Sequence, residues 1–133
     1  MIISKVIRDD GRHITRADYD DSRPLLDSIN VKFPRVNSLQ ARSLRRVLSG
    51  LMLTHMDFYF ASRSYRLSSF IDELRKKGWT IVDHDEVAPT KDIVPRNAPF
   101  TRYELFAEFT TELMTRIKAF CQAVDDLESK AAK

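Results

Sequence analysis

One cysteine, three glycines and no long apolar run set the first limits on this chain of 133 residues. Cys121 alone rules out an internal disulfide, and its spacing from the histidines gives no zinc pattern. It falls among apolar positions of an expected helix, where a free thiol acts as a small buried hydrophobe. Gly11, Gly50 and Gly78 stand far apart, so there is no glycine-rich loop to cradle a phosphate, and no serine, cysteine or lysine has a recognisable base partner. Neither catalysis nor a cofactor is expected. His84 neighbours Asp83, Asp85 and Glu86, but contiguous residues do not converge on a metal as ligands from separate elements do, so no metal is expected. His55, next to a helix cap, is expected at the surface. With no signal-peptide pattern and no stretch able to span a bilayer, the expected location is cytoplasmic, with no membrane partner.

What the chain does have is an uneven distribution of charge. The net charge is only +3, with a pI near 9.1. Residues 35–77 hold nine arginines and lysines against three carboxylates, residues 1–34 balance, and residues 78–133 are acidic by three. A basic middle between neutral and acidic flanks suits a polyanion. The hydrophobic fraction of 43% is ordinary for a chain with a buried core.

The pattern of elements divides the chain into an N-terminal arm (1–36), a central domain (37–96) and a C-terminal helix (97–133). In the arm, Asp9-Asp10-Gly11 between β-branched residues signals a hairpin. Asp18 to Pro34 reads as a connector whose Leu25, Leu26, Ile29, Val31 and Phe33 can dock on a core. The central domain opens with a helix from Asn37 or Ser38, its apolar face formed by Leu44, Val47, Leu48 and Leu51. Met52-Leu53 is placed to bridge to later strands.

A second helix starts with three agreeing signals: Thr54 as N-cap, Asp57 completing a capping box, and Leu53 with Phe58 as a hydrophobic staple. It is short, because Ala61-Ser62-Arg63-Ser64 reads as a turn. Ser64 then caps a third helix, 64–77, with an apolar stripe of Leu67, Phe70, Ile71 and Leu74. Arg75-Lys76-Lys77 favours the negative end of the helix dipole, and Gly78 suits a left-handed cap. Trp79 to Val82 is strand-like, Asp83 to Lys91 a polar loop, and Ile93-Val94 a return strand. This order is what a helix-turn-helix followed by a wing requires.

The third helix is therefore the candidate DNA reader. Ser64, Tyr65, Arg66, Ser68 and Ser69 lie off its apolar stripe; small side chains let a helix sit deep in a major groove, and an arginine such as Arg66 can fork onto a guanine edge. Arg63 in the turn, Arg45 and Arg46 on the first helix, and Lys76 complete the candidate set as phosphate contacts.

The last helix is expected to open at Pro99, with Thr101 and Glu104 as a capping box and Phe100 and Leu105 as its staple, and to run to about Lys130. Phe106, Leu113, Phe120 and Leu127 recur every seven residues, with Thr110, Ile117 and Val124 between them. Phe106, Leu113, Ile117, Phe120, Val124 and Leu127 thus form a candidate homodimer seam.

The stretch Arg66-Leu67-Ser68-Ser69-Phe70-Ile71-Asp72-Glu73-Leu74-Arg75-Lys76-Lys77-Gly78-Trp79-Thr80-Ile81, preceded by Leu53-Thr54 and by Arg46-Val47-Leu48, resembles the small winged helix-turn-helix domain common in bacteriophage and prophage proteins. The resemblance covers about residues 39 to 83. It implies a winged-helix fold and DNA binding in phage gene regulation, replication or recombination. The expected wing is acidic (Asp83, Asp85, Glu86, Asp92), with Lys91 and Arg96 as its cations, so it is not expected to follow phosphates.

The sequence thus predicts a mainly α fold with a small β wing: a winged helix-turn-helix plus a long C-terminal helix. The expected function is sequence-specific binding of double-stranded DNA by a homodimer, as a regulator or an architectural or replication factor. The alternative is an adaptor that turns the same scaffold toward a host or phage protein.

Overall fold

The computed structural model describes residues 14–89 and 97–131. A short 3-10 turn, Arg16–Tyr19, is followed by β1 (Leu25–Leu26), α1 (Leu39–Leu48), α2 (His55–Ser62), α3 (Leu67–Lys76), β2 (Ile81–Pro89), β3 (Asn97–Leu105), β4 (Glu108–Phe109) and α4 (Thr111–Ala131). Four helices and a small antiparallel sheet make a small α/β fold with a long C-terminal helix. The expected hairpin at Asp9–Gly11 lies outside the described residues, as do Lys91, Asp92, Ile93, Val94 and Arg96.

The helix starts follow local chemistry. Ser38 caps α1 by accepting a hydrogen bond from the Ala41 N–H at 3.1 Å. Thr54 and Asp57 form the reciprocal capping box of α2, with bonds of 3.0 and 3.2 Å. Leu53, just before that cap, exchanges both backbone hydrogen bonds with Tyr103 of β3. A single residue between α1 and α2 therefore joins the sheet, as its position suggested.

Ser64 does not cap α3. Arg63 ends α2 in the left-handed region (φ 61°), which turns the chain, and the helix begins only at Leu67, after Arg66. The Ser64 hydroxyl instead accepts from the Arg66 N–H inside the turn, at 3.2 Å. At the far end Gly78 takes φ +101°, where a Cβ would strike the Asn30 carbonyl; the site admits glycine on both counts.

Two expected boundaries are corrected. Asp83 to Pro89 is strand rather than loop: β2 pairs antiparallel with β3 from Ile81 opposite Leu105 to Pro89 opposite Asn97. Residues 99–105 are accordingly strand and not the first turns of the last helix. Thr101 and Glu104 cap nothing. Thr101 bonds to Asp85 across the ladder, and Glu104 bonds to Arg16 and His84. The Thr-x-x-Glu pattern is a local signal, and pairing with β2 and Leu53 overrides it. α4 starts at Thr111, where the Thr110 hydroxyl accepts from the Leu113 N–H.

The core joins α1, α3, the sheet and α4. Leu44, Val47, Phe58, Leu67, Ile71, Leu74, Trp79 and Ile81 are buried in it. Leu113, Ile117, Phe120 and Val124 of α4 are buried in the same core, so this stripe is covered by the chain's own domain and is not open as a seam between copies. Phe106 is also buried, but precedes the helix. Leu127 alone of the six is exposed. The 18–34 connector is anchored as well. β1 pairs parallel with β4, Val31 is buried, and the Trp79 indole N–H donates to the Lys32 carbonyl at 2.8 Å. Leu25 and Ile29 stay exposed. No helix among the described residues is long and apolar enough to cross a membrane.

Candidate nucleic-acid interface

Five side chains of the α1–α4 packing decide which arginines remain available. Arg45 binds Asp125 through two bonds of 2.9 and 3.0 Å. Arg46 and Arg42 converge on Glu128, at 2.9 and 2.8 Å, and Arg42 also donates to the Ala61 carbonyl. Burial pushes the Glu128 carboxyl up, but the hydrogen bonds and charges of Arg46 and Arg42 outweigh it and hold it below its ordinary range. The Arg45 hydrogen bond likewise lowers Asp125. Arg45 and Arg46, expected as phosphate contacts, thus serve the docking of α4. In sequence, α1 and α4 are some eighty residues apart, and only packing brings these charges together.

Arg75 is withdrawn too. Its guanidinium is almost fully buried and bonds to Asp83 at 2.7 Å and to the Ile81 carbonyl at 2.9 Å. Asp83 additionally accepts from the Ile14 N–H at 3.0 Å. The pair ties the end of α3 to β2 and to the segment before the 3-10 turn. A cation expected at the helix end is therefore an internal strut.

What stays at the surface is the turn and the outer edge of α3. Arg63, Tyr65, Arg66, Ser69 and Lys76 are exposed, while Ser64 and Ser68 are half-buried. Asp72 and Glu73, half-buried on the same helix, make contacts with Arg75 and Gln40 respectively. The carboxylate-free part of this edge is its N-terminal end: no acidic residue lies between Asp57 and Asp72. The Arg63 guanidinium lies 5.7 Å from the Tyr59 ring centre and that of Arg66 5.5 Å from Phe70. Tyr59 and Tyr65 stack at 4.4 Å with their planes 23° apart. Hydrogen bonding with Tyr65, and then with Arg63, holds the Tyr59 phenol below its ordinary pKa.

Beside this end runs a groove of about 510 Å³, lined by Arg35, Arg66 and Lys77 over Phe33, Leu39 and Phe70. Arg35, Arg63, Arg66, Lys76 and Lys77 have no carboxylate partner among the described residues. Sequence reasoning missed Arg35 and Lys77 as members of one surface. The first sits ahead of α1 and the second after α3, so no spacing links them.

The sheet carries an alternating ladder on one face: Arg16 to Glu104 at 2.8 Å, Glu104 to His84 at 2.7 Å, and Arg102 to Glu86 at 3.0 Å. Arg102 was read as helical and so was not counted among the cations of the hairpin. The acidic run Asp83-His84-Asp85-Glu86 is thereby divided. Asp83 turns to Arg75, His84 and Glu86 to the ladder, and Asp85 to Thr101. His55 is exposed and Cys121 half-buried.

Comparison with protein-family models, with curated proteins and with solved structures finds no match to this chain.

Proposed function

We propose that this chain is a winged helix-turn-helix protein of phage type that binds double-stranded DNA through the turn and outer edge of α3, as a regulator or an architectural or replication factor. The observation that carries the reading is the element order. α1, the Leu53 bridge, α2, α3 and the β2–β3 hairpin follow one another, with Leu53 paired to the return strand. On this reading α2 is the positioning helix and β2–β3 the wing on either side of α3, which is how such domains present a helix to a major groove. Support also comes from the exposed Arg63, Arg66, Ser69 and Lys76, uncovered by any other described element. Arg66 is the residue for base edges, Arg63 and Lys76 for phosphates.

The test is a fluorescence-anisotropy titration with a pool of random blunt duplexes at low salt, followed by selection of bound sequences. Submicromolar binding is expected, with Arg66→Ala weakening it about 5- to 100-fold for the selected site. Equal affinity of wild type and Arg66→Ala for every duplex would end the reading.

A second reading has its own observation. Met56 and Phe60, one turn apart on α2, are 61% and 70% exposed and form an apolar patch that suits a protein partner. A protein that ignores duplex and heparin at low salt, yet loses a partner on Phe60→Ser, would favour an adaptor.

A further inference from the structure

Reading duplex DNA does not account for the aromatic side chains at the turn. Tyr65 is 78% exposed, larger than the serines around it, and stacked face to face on Tyr59. Phe60 stands next to Tyr59 with its ring centre 6.2 Å away. A base pair inside a duplex offers its edges to a protein, and its faces are taken by neighbouring pairs. Within a nucleic acid, the flat face of an open phenol is matched by an unpaired base, and base–aromatic stacking is how proteins hold single strands. Ordinary hydrophobic sites hide such rings. Here the outer ring of the pair remains in water.

The charge around the rings fits the same occupant. Arg63 and Arg66 bracket Tyr65 in the sequence, and no carboxylate lies between Asp57 and Asp72. Arg66 is also a wall of the neighbouring groove, whose other cations are Arg35 and Lys77 and whose floor includes Phe33 and Phe70. Arg66 directly follows Tyr65 in the chain and sets its guanidinium over Phe70 in that groove, so the rings and the groove adjoin. A polynucleotide strand running from the rings into that groove would lie against three cations, Arg35, Arg66 and Lys77. The carboxylates of an acidic peptide would satisfy the groove but give no reason for a stacked phenol beside it, whereas a polynucleotide carries charge and flat faces together.

Resting on the DNA-binding reading above, we infer that the Tyr59–Tyr65 stack and the groove lined by Arg35, Arg66 and Lys77 hold the unpaired strand at a junction between double- and single-stranded DNA. The preferred substrate is then a duplex with a single-stranded extension, and not a blunt one.

The experiment compares four probes of one sequence by anisotropy: a blunt duplex, the same duplex with a ten-nucleotide extension at the 3′ end, the same with the extension at the 5′ end, and the single strand alone. A 2-aminopurine at the first unpaired position reports stacking by its fluorescence. One extension polarity is expected to bind about tenfold or more tighter than the blunt duplex, roughly the gain from a single stacked base, with quenching of the 2-aminopurine. In Tyr65→Ala the ratio of blunt to extended Kd should fall to about one and the quenching should disappear; Tyr65→Phe, which keeps the ring, should restore both. Tyr65 is exposed, so neither change threatens the fold. Equal affinity for blunt and extended duplex in the wild type overturns the inference while leaving the duplex reading intact. So does a preference that survives Tyr65→Ala. Binding of the single strand with no affinity for blunt duplex, lost in Tyr65→Ala, would retain the base-stacking site and remove the duplex reading. No binding to any probe would remove both.

Discussion

The arginines between residues 42 and 75 divide into two groups that the sequence does not distinguish. Arg42, Arg45, Arg46 and Arg75 satisfy carboxylates within the fold, and Arg63 and Arg66 face solvent over aromatic rings. The division yields opposite expectations. Arg46→Ala should leave DNA affinity within about twofold at low temperature and lower stability by about 1 kcal/mol, the scale of a partly exposed ion pair. Thermal melts beside binding titrations check it, and a large fall in affinity without a fall in Tm would show that Arg46 contacts the nucleic acid. The buried pair should weigh more. Asp83→Asn removes the charge at 2.7 Å from Arg75 and leaves the almost buried guanidinium to the more distant Asp72 carboxylate, 3.7 Å away, a change that costs about 3 kcal/mol. Urea denaturation followed by circular dichroism measures it. A loss under 1 kcal/mol would mean that Arg75 escapes to solvent.

Among the elements, α4 departs furthest from its expected role. Its seven-residue recurrence was read as a seam between copies, yet the same periodicity serves a helix packed on its own domain. Ile117→Asp separates the two. For a seam it would dissociate a dimer and keep the fold. For a helix docked on its own core it should cost several kcal/mol, since a carboxylate would enter an apolar site unpaired (~3 kcal/mol or more). Loss of helicity at every protein concentration is the expected result. The docking should also fail in acid. Glu128 and Asp125 at the α1–α4 contact, and Glu104 in the sheet ladder, sit below their ordinary pKa in the folded chain. A lowered folded pKa means that the stabilisation is complete above the unfolded values, about 4 to 4.5, and is lost as pH falls through the folded ones. Tm should therefore be steady from pH 7 to about 5 and drop below about pH 4, and Glu128→Gln should lower the plateau and flatten the drop. A melting profile that is unchanged down to pH 3 contradicts the ion-pair account.

For the molecule as a whole, the net charge of +3 understates the local charge of the face proposed to meet DNA. With α1 neutralised by α4, the cations left around the turn are Arg35, Arg63, Arg66, Lys76 and Lys77. Contact of three to five of them with phosphates gives a log Kd against log salt slope of about 3 to 4.5 in magnitude. A slope near seven would require Arg42, Arg45 and Arg46 to leave α4, and a slope near zero would mean that phosphates are not the ligand. The measurement needs only duplex titrations between 50 and 300 mM salt.

Local chemistry by itself determined the caps of α1 and α2, the short α2, the apolar stripe of α3, the glycine turn after it and the bridging position of Leu53. Each depends on residues within a turn or two of one another, where capping geometry and helical periodicity leave little choice. Only the tertiary structure decided that Pro99–Leu105 is a strand, that the α4 stripe faces inward, and that Arg45, Arg46 and Arg75 are occupied. In all three the deciding partner is distant in sequence: β2 for the strand, the core for the stripe, and Asp125, Glu128 and Asp83 for the charges. A capping box and a heptad are short-range patterns compatible with more than one fold. Burial and pairing free energies, which depend on the assembled chain, choose between them.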